Sequence, residues 1–216
     1  MKALIGAAAA ALAITGCSQK SPNNAKIDTP ITAATPVMTA PVPVGDGPFG
    51  IPLKGKLADL HVAPDATDMP PGVHILSTVP RPAQDVEAYV VEYHDETGIC
   101  MIRAVGITNE SDDTGSQVRS QIETLTSALN AKYGEPKSLD RCAGGVTCEG
   151  QFWTQAVQGG ERVYMHEWEP HGSAVSRIDL VARAPSAIST YYVLEYAIGD
   201  EKACAKAKNK ARSANL

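Results

Sequence analysis

Hydrophobic and polar positions along the chain change period several times, and each change marks an element. Residues 88–94 (AYVVEYH) and 99–107 (ICMIRAVGI) are β-rich runs joined by the polar turn Asp95-Glu96-Thr97-Gly98, which predicts a hairpin. Past 107 the period lengthens. Val118, Ile122, Leu125, Leu129 and Tyr133 recur at spacings of four, three, four and four, one buried stripe of a helix. Ser111-Asp112-Asp113-Thr114 supplies N-cap residues, Gly134 a C-terminal cap, and Pro136 stops any continuation. Strands are predicted at 72–80, closed by Pro80, and at 151–157, 162–169, 175–184 and 190–197, with Gly159-Gly160 as a turn. A short helix is predicted near 53–60 and a Lys- and Ala-rich terminal helix over 200–215.

The element order reads as two loose repeats, each a helix followed by three or four strands. The predicted class is α+β, a mostly antiparallel sheet with helices on one face. The layout is similar to that of the two-repeat β-lactamase inhibitor proteins and the small outer-membrane assembly lipoproteins. No motif of either family is present to carry residues over, and layout does not determine function.

The first 48 residues follow neither period. Met1-Lys2 is followed by an uncharged run from Ala3 to Ile14. That length suits a signal-peptide core and falls short of the ~20 residues needed to span a bilayer. The run ends in Ile14-Thr15-Gly16-Cys17. These four residues resemble the lipobox of bacterial lipoproteins, a branched apolar and two small residues before a cysteine. The resemblance implies removal of 1–16, a diacylglycerol on the Cys17 thiol, and a further acyl chain such as palmitate on its amino group. Several acyl chains together make an anchor stable where one would be marginal. In such lipoproteins a serine after the cysteine goes with outer-membrane sorting, so Ser18 implies the outer membrane, periplasmic side. Residues 17–48 then form a tether. Pro22, Pro30, Pro36, Pro41, Pro43 and Pro48 are interleaved with Thr, Ala, Asn and Val, which favours extended backbone without a core. It would reach ~90 Å extended, or ~30 Å as a coil. A single domain occupies 49–216, long enough for one filled core.

Loss of Lys2 from the 19 basic residues, against 24 acidic ones, takes the net charge from −5 to −6. That acidity and export both argue against nucleic acid as a partner. Besides Cys17 there are Cys100, Cys142, Cys148 and Cys204. An even number in an exported chain reads as two disulfides, with three possible pairings. The flexible Ala143-Gly144-Gly145-Val146-Thr147 favours Cys142–Cys148, leaving Cys100 with Cys204. The spacing matches no zinc pattern, and no metal or other cofactor is expected.

Candidate chemistry is sparse. Alternation puts Tyr164, His166 and Trp168 on one face of the 162–169 strand, a candidate binding face for a protein or glycan and equally a half-buried sheet face. Glu92 and His94, at i and i+2, have the geometry to orient a general base. No nucleophile motif accompanies them: there is neither G-x-S-x-G nor H-E-x-x-H, and no catalytic residue is assigned. Lys202, Lys206, Lys208, Lys210 and Arg212 make the terminal helix basic, a solvated face or a contact for an anionic surface. The expected function is a lipid-anchored periplasmic module that binds a protein or assists envelope assembly, inhibition included. A hydrolase of envelope material using Glu92, His94 or His166, and a passive envelope component, are the alternatives.

Overall fold

In the computed structural model the described residues are 44–64, 69–145 and 148–213. The expected signal, the Cys17 lipobox and the tether up to residue 43 lie outside them.

Among the described residues seven strands form one antiparallel sheet: β1 Val73–Leu76, β2 Val86–His94, β3 Gly98–Gly106, β4 Lys137–Cys142, β5 Arg162–Trp168, β6 Val175–Ser186 and β7 Ser189–Ile198. Their spatial order is β1-β2-β3-β7-β6-β5-β4. After the β2–β3 hairpin, α1 (Ser116–Tyr133) carries the chain from the middle of the sheet to its far edge. The chain then returns strand by strand from β4 to β7, which pairs with β3. The α+β class and the antiparallel sheet stand as expected from the periodicity.

One face of the sheet, here the front, is the core side. Val91, Ile102, Tyr192, Leu194, Ile178 and Leu180 are buried there. Val118, Ile122 and Leu129 of α1 pack on it, as do Trp153 and Ala156 of α2 (Trp153–Gln158). Phe49 closes the β2–β7 side, its ring 4.9 Å from Tyr89 and 5.9 Å from Tyr196. The last helix, α3 (Glu201–Ser213), leaves this layer. Alternation puts Glu92, Met101 and Ala197 on the reverse face, yet all three are buried. Lys208 of α3 bonds Glu92, and Glu201 bonds Arg177 and Ser176 of β6. So α3 covers one end of the reverse face and leaves the rest open. The Cys100–Cys204 disulfide fastens α3 to β3, and Cys142–Cys148 closes the loop after β4.

Three local expectations fail. The stretch 151–157 is not a strand but a 3-10 turn, Gly150–Phe152, running into α2. Its β-prone composition is overruled because Trp153, Thr154 and Ala156 are all buried together, which helical spacing allows and alternation does not. Gly159-Gly160 ends this helix, Gly160 at φ 73, rather than turning a hairpin. Near 53–60 there is only the 3-10 turn Leu57–Asp59. And β4 was not expected: KSLDRC is polar because it is an exposed edge strand with a single neighbour.

Candidate functional site

Tyr164, His166 and Trp168 do share a face of β5, but it is the front face. Trp168 is 2% exposed and its indole Nε1 donates to Asn130 Oδ1 (3.1 Å) and Gly134 O (3.0 Å) on α1 and its cap. Tyr164 sits edge-on to Trp153, ring centres 5.8 Å apart. His166 Nδ1 meets Ser138 Oγ at 2.8 Å, while its Nε2 is buried without a partner among the described residues. Burial pushes the His166 imidazole below its ordinary pKa and the Tyr164 hydroxyl above its own. The row is brought together, but largely against the protein's own helices.

The Glu92–His94 pair is also real. Glu92 Oε1 lies 3.1 Å from His94 Nε2, and Lys208 Nζ donates to the other oxygen at 2.7 Å. Burial alone would raise the Glu92 carboxyl; the bonds from Lys208 and His94 outweigh it and hold the carboxyl below its ordinary range. The group borders a cavity of about 350 Å³ between Leu57, His74, Tyr93, Ala207 and Lys210. Burial, and then His94, lowers the His74 imidazole. Gly72 approaches His94 so closely that a Cβ there would lie 2.5 Å from the imidazole Cε1. Through the Lys208–Glu92 bond this group ties α3 to β2. Lys210, bonded to Glu96, adds a second tie, so two of the basic residues on this helix are turned to their own chain. No group of three or more His, Cys, Asp or Glu side chains among the described residues is placed to hold a metal ion. No helix among them is long and apolar enough to cross a membrane.

A second surface is the reverse face of β3, β7, β6, β5 and β4. Strand register orders it into rows. Val105, Val193, Val181, Met165 and Leu139 are successive cross-strand partners, an apolar row five strands wide. Two residues along lies the row Arg103, Glu195, Asp179, Glu167 and Lys137. On the other side of the apolar row are Tyr191 paired with Arg183, and Val163 paired with Arg141. The surface is a shallow depression of about 560 Å³. Arg103 Nε donates to Glu195 at 2.9 Å, and Arg177 Nε to Asp179 Oδ2 at 2.9 Å. Asp179 Oδ1 is buried with no hydrogen-bond partner among the described residues, and burial, exceeding the pull of Arg177, holds its carboxyl above the usual range.

These rows were half-visible in the sequence. Strand alternation marks Val163, Met165 and Glu167 as the opposite face of β5, and likewise for β6 and β7. That they align into an apolar row flanked by charge follows only from register. Comparison of the chain with protein-family models, with curated proteins and with solved structures returned no match.

Proposed function

We propose that this protein is a lipid-anchored docking module of the bacterial envelope. Acyl chains on Cys17 hold it at the periplasmic side of the outer membrane. The residues from 17 to 43 act as tether, while Gly45 to Pro48 are hydrogen-bonded or turned into the domain, and the reverse face of the sheet is laid against a protein partner. The observation that carries the reading is the apolar row Val105–Val193–Val181–Met165–Leu139, half-buried along its length, exposed at Leu139 and flanked by charge. An antiparallel sheet with one solvated face alternates apolar inside and polar outside. Here the solvated side keeps an aliphatic band across five strands, the make-up of an interaction site. Leu139 at the edge is 40% exposed.

A photo-crosslinking residue in place of Val193 of the full chain, in cells, tests this. The expected result is one discrete crosslinked species, lost when Val181→Glu is added. The same probe at the exposed Glu123 of α1, on the front side of the sheet, should give none. Equal labelling from both positions would sink the reading.

A further inference from the structure

We propose that the Cys100–Cys204 disulfide is a reducible latch: a dithiol attacks it at Cys204 and frees α3 from the sheet. The inference goes beyond the docking reading and does not depend on it, since it concerns what holds α3 in place.

The helix has little else to hold it. Its inward stripe is Cys204, Ala207 and Ala211, of which only Ala207 is fully buried. Alanine removes too little apolar surface from water to dock a helix. A helix of 13 residues is also marginal in water by itself. The pairs Lys210–Glu96 and Arg177–Glu201 are exposed, and exposed pairs add little. Lys208–Glu92 is a partly buried tie. The docking of α3 therefore depends on the disulfide. Cys100 is placed for it by a bulge. The β2–β3 register runs Glu92–Met101 and then Tyr93–Ile99, so Cys100 is the residue skipped, and a bulge re-aims a side chain.

The two sulfurs differ in access and surroundings. Cys100 is 6% exposed. Cys204 is half-buried and stands in the wall of a cavity of about 390 Å³, with Thr97, Ile99, Ile198 and Ala203. The carboxylates of this cavity do not close it to a thiolate. Lys54 lies in the same wall as Asp46, Lys210 bonds Glu96, and Asp200 Oδ1 accepts the N–H groups of Lys202 and Ala203. Thr97 Oγ1 lies 3.1 Å from Cys100 Sγ. A disulfide sulfur carries no hydrogen, so the threonine hydroxyl is the donor. Attack on Cys204 makes Cys100 the leaving sulfur, and a donor already on it stabilises the departing thiolate. In the first step a thiolate of the dithiol bonds to Cys204 Sγ as the Cys204–Cys100 bond breaks. Cys100 leaves with the electron pair and takes up a proton. The second thiol of the reagent, deprotonated, then attacks the reagent's sulfur in the mixed disulfide and expels Cys204, which is protonated in turn. The chain gains two electrons and two protons, and the dithiol becomes a disulfide. Departure of α3 bares Glu92, Met101 and Ala197 on the reverse face.

The purified full chain in detergent, folded and without denaturant, is treated with dithiothreitol at about 10 mM and about pH 8. Alkylation and peptide mass mapping follow the cysteines, and hydrogen exchange follows the helices. Cys100 and Cys204 are expected to be freed while the amides of α1 keep their protection. The amides of α3 should then exchange at least about 100-fold faster. The monothiol β-mercaptoethanol, quenched early by alkylation, should leave its adduct on Cys204 and the alkyl group on Cys100. Thr97→Val should slow the reduction about threefold or more by removing the donor to the leaving sulfur, and Thr97→Ser should restore it. A bond that opens only when α1 loses protection too, an adduct on Cys100, or an α3 that stays protected after reduction would overturn the proposal.

Discussion

Thr190 on β7 donates its hydroxyl to Asp112 Oδ2 at 2.6 Å, across 78 residues of chain. The same carboxylate receives the backbone N–H groups of Gln117 and Val118 at 3.0 and 3.1 Å. It therefore caps α1 from outside the N-cap position, which Gly115 occupies. The Asp112 carbonyl meanwhile accepts from Thr154 of α2. One buried residue ties β7, α1 and α2 together.

Removing that carboxylate should be among the costliest single changes. Asp112→Ala leaves two helix N–H groups and a buried hydroxyl unsatisfied, a loss of about 3–4 kcal/mol. Asp112→Asn keeps an acceptor and should cost about half as much. Urea unfolding of the two variants checks the order; equal and small losses would refute the knot.

The two disulfides should differ in worth. Cys100–Cys204 spans 104 residues and Cys142–Cys148 spans 6. In the chain-entropy model these are worth about 4–5 and about 2 kcal/mol. Replacing Cys100 and Cys204 together by alanine should therefore lower stability about twice as much. Hydrogen exchange should show the loss first in α3, where the Lys208–Glu92 bond depends on the helix staying docked.

Acid should destabilise the fold in two stages. His166 and His74 are both held below the ordinary imidazole pKa of 6.5, chiefly by burial. The neutral form is favoured when folded, so their contribution is complete above pH 6.5 and declines as pH falls below it. In Glu92 and Asp112 burial is outweighed by hydrogen bonds, and both carboxyls lie below their ordinary values of 4.5 and 3.8. Their contribution is present above those values and lost as pH falls through the lower folded ones. Urea midpoints from about pH 7.5 to 3 should fall in both windows. His166→Gln should flatten the upper one and Glu92→Gln the lower.

Two glycines give a paired test of close packing. Gly115 has φ 67, and a Cβ there would lie 2.0 Å from Trp153 Cε3. Gly115→Ala combines left-handed strain with a clash against a buried indole and should cost about 3 kcal/mol or more. Gly98 has φ 76 with nothing within 4 Å of its Cβ position. Gly98→Ala should cost only the strain, about 1 kcal/mol. Melting temperatures in the same order would bear this out.

The proposed anchor has a direct test. Cys17→Ser should move the protein from the membrane to the soluble fraction and abolish the acyl mass. A wild-type chain found unmodified and soluble would remove the lipid anchor from the proposed function.

Elements held together by their own neighbours were legible without the structure. The β2–β3 hairpin needs only two β-rich runs and a polar turn, and α1 only its stripe from Val118 to Tyr133 and the residues that stop it at Gly134. Where distant chain decides, local reading failed. The 151–157 segment is helical because Trp153 and Thr154 must meet Gly115 and Asp112 on another element. The Tyr164–His166–Trp168 row could be placed on one face of a strand, but not under α1 and α2. By itself the sequence determined which positions alternate in β2, β3 and β5, where the β2–β3 turn and the end of α1 fall, and which cysteines are available, since these depend on backbone sterics and short-range periodicity. The tertiary structure decided which face is covered and which is left open. Register is set by the sum of cross-strand contacts, and a shift of one residue would turn every side chain to the other side.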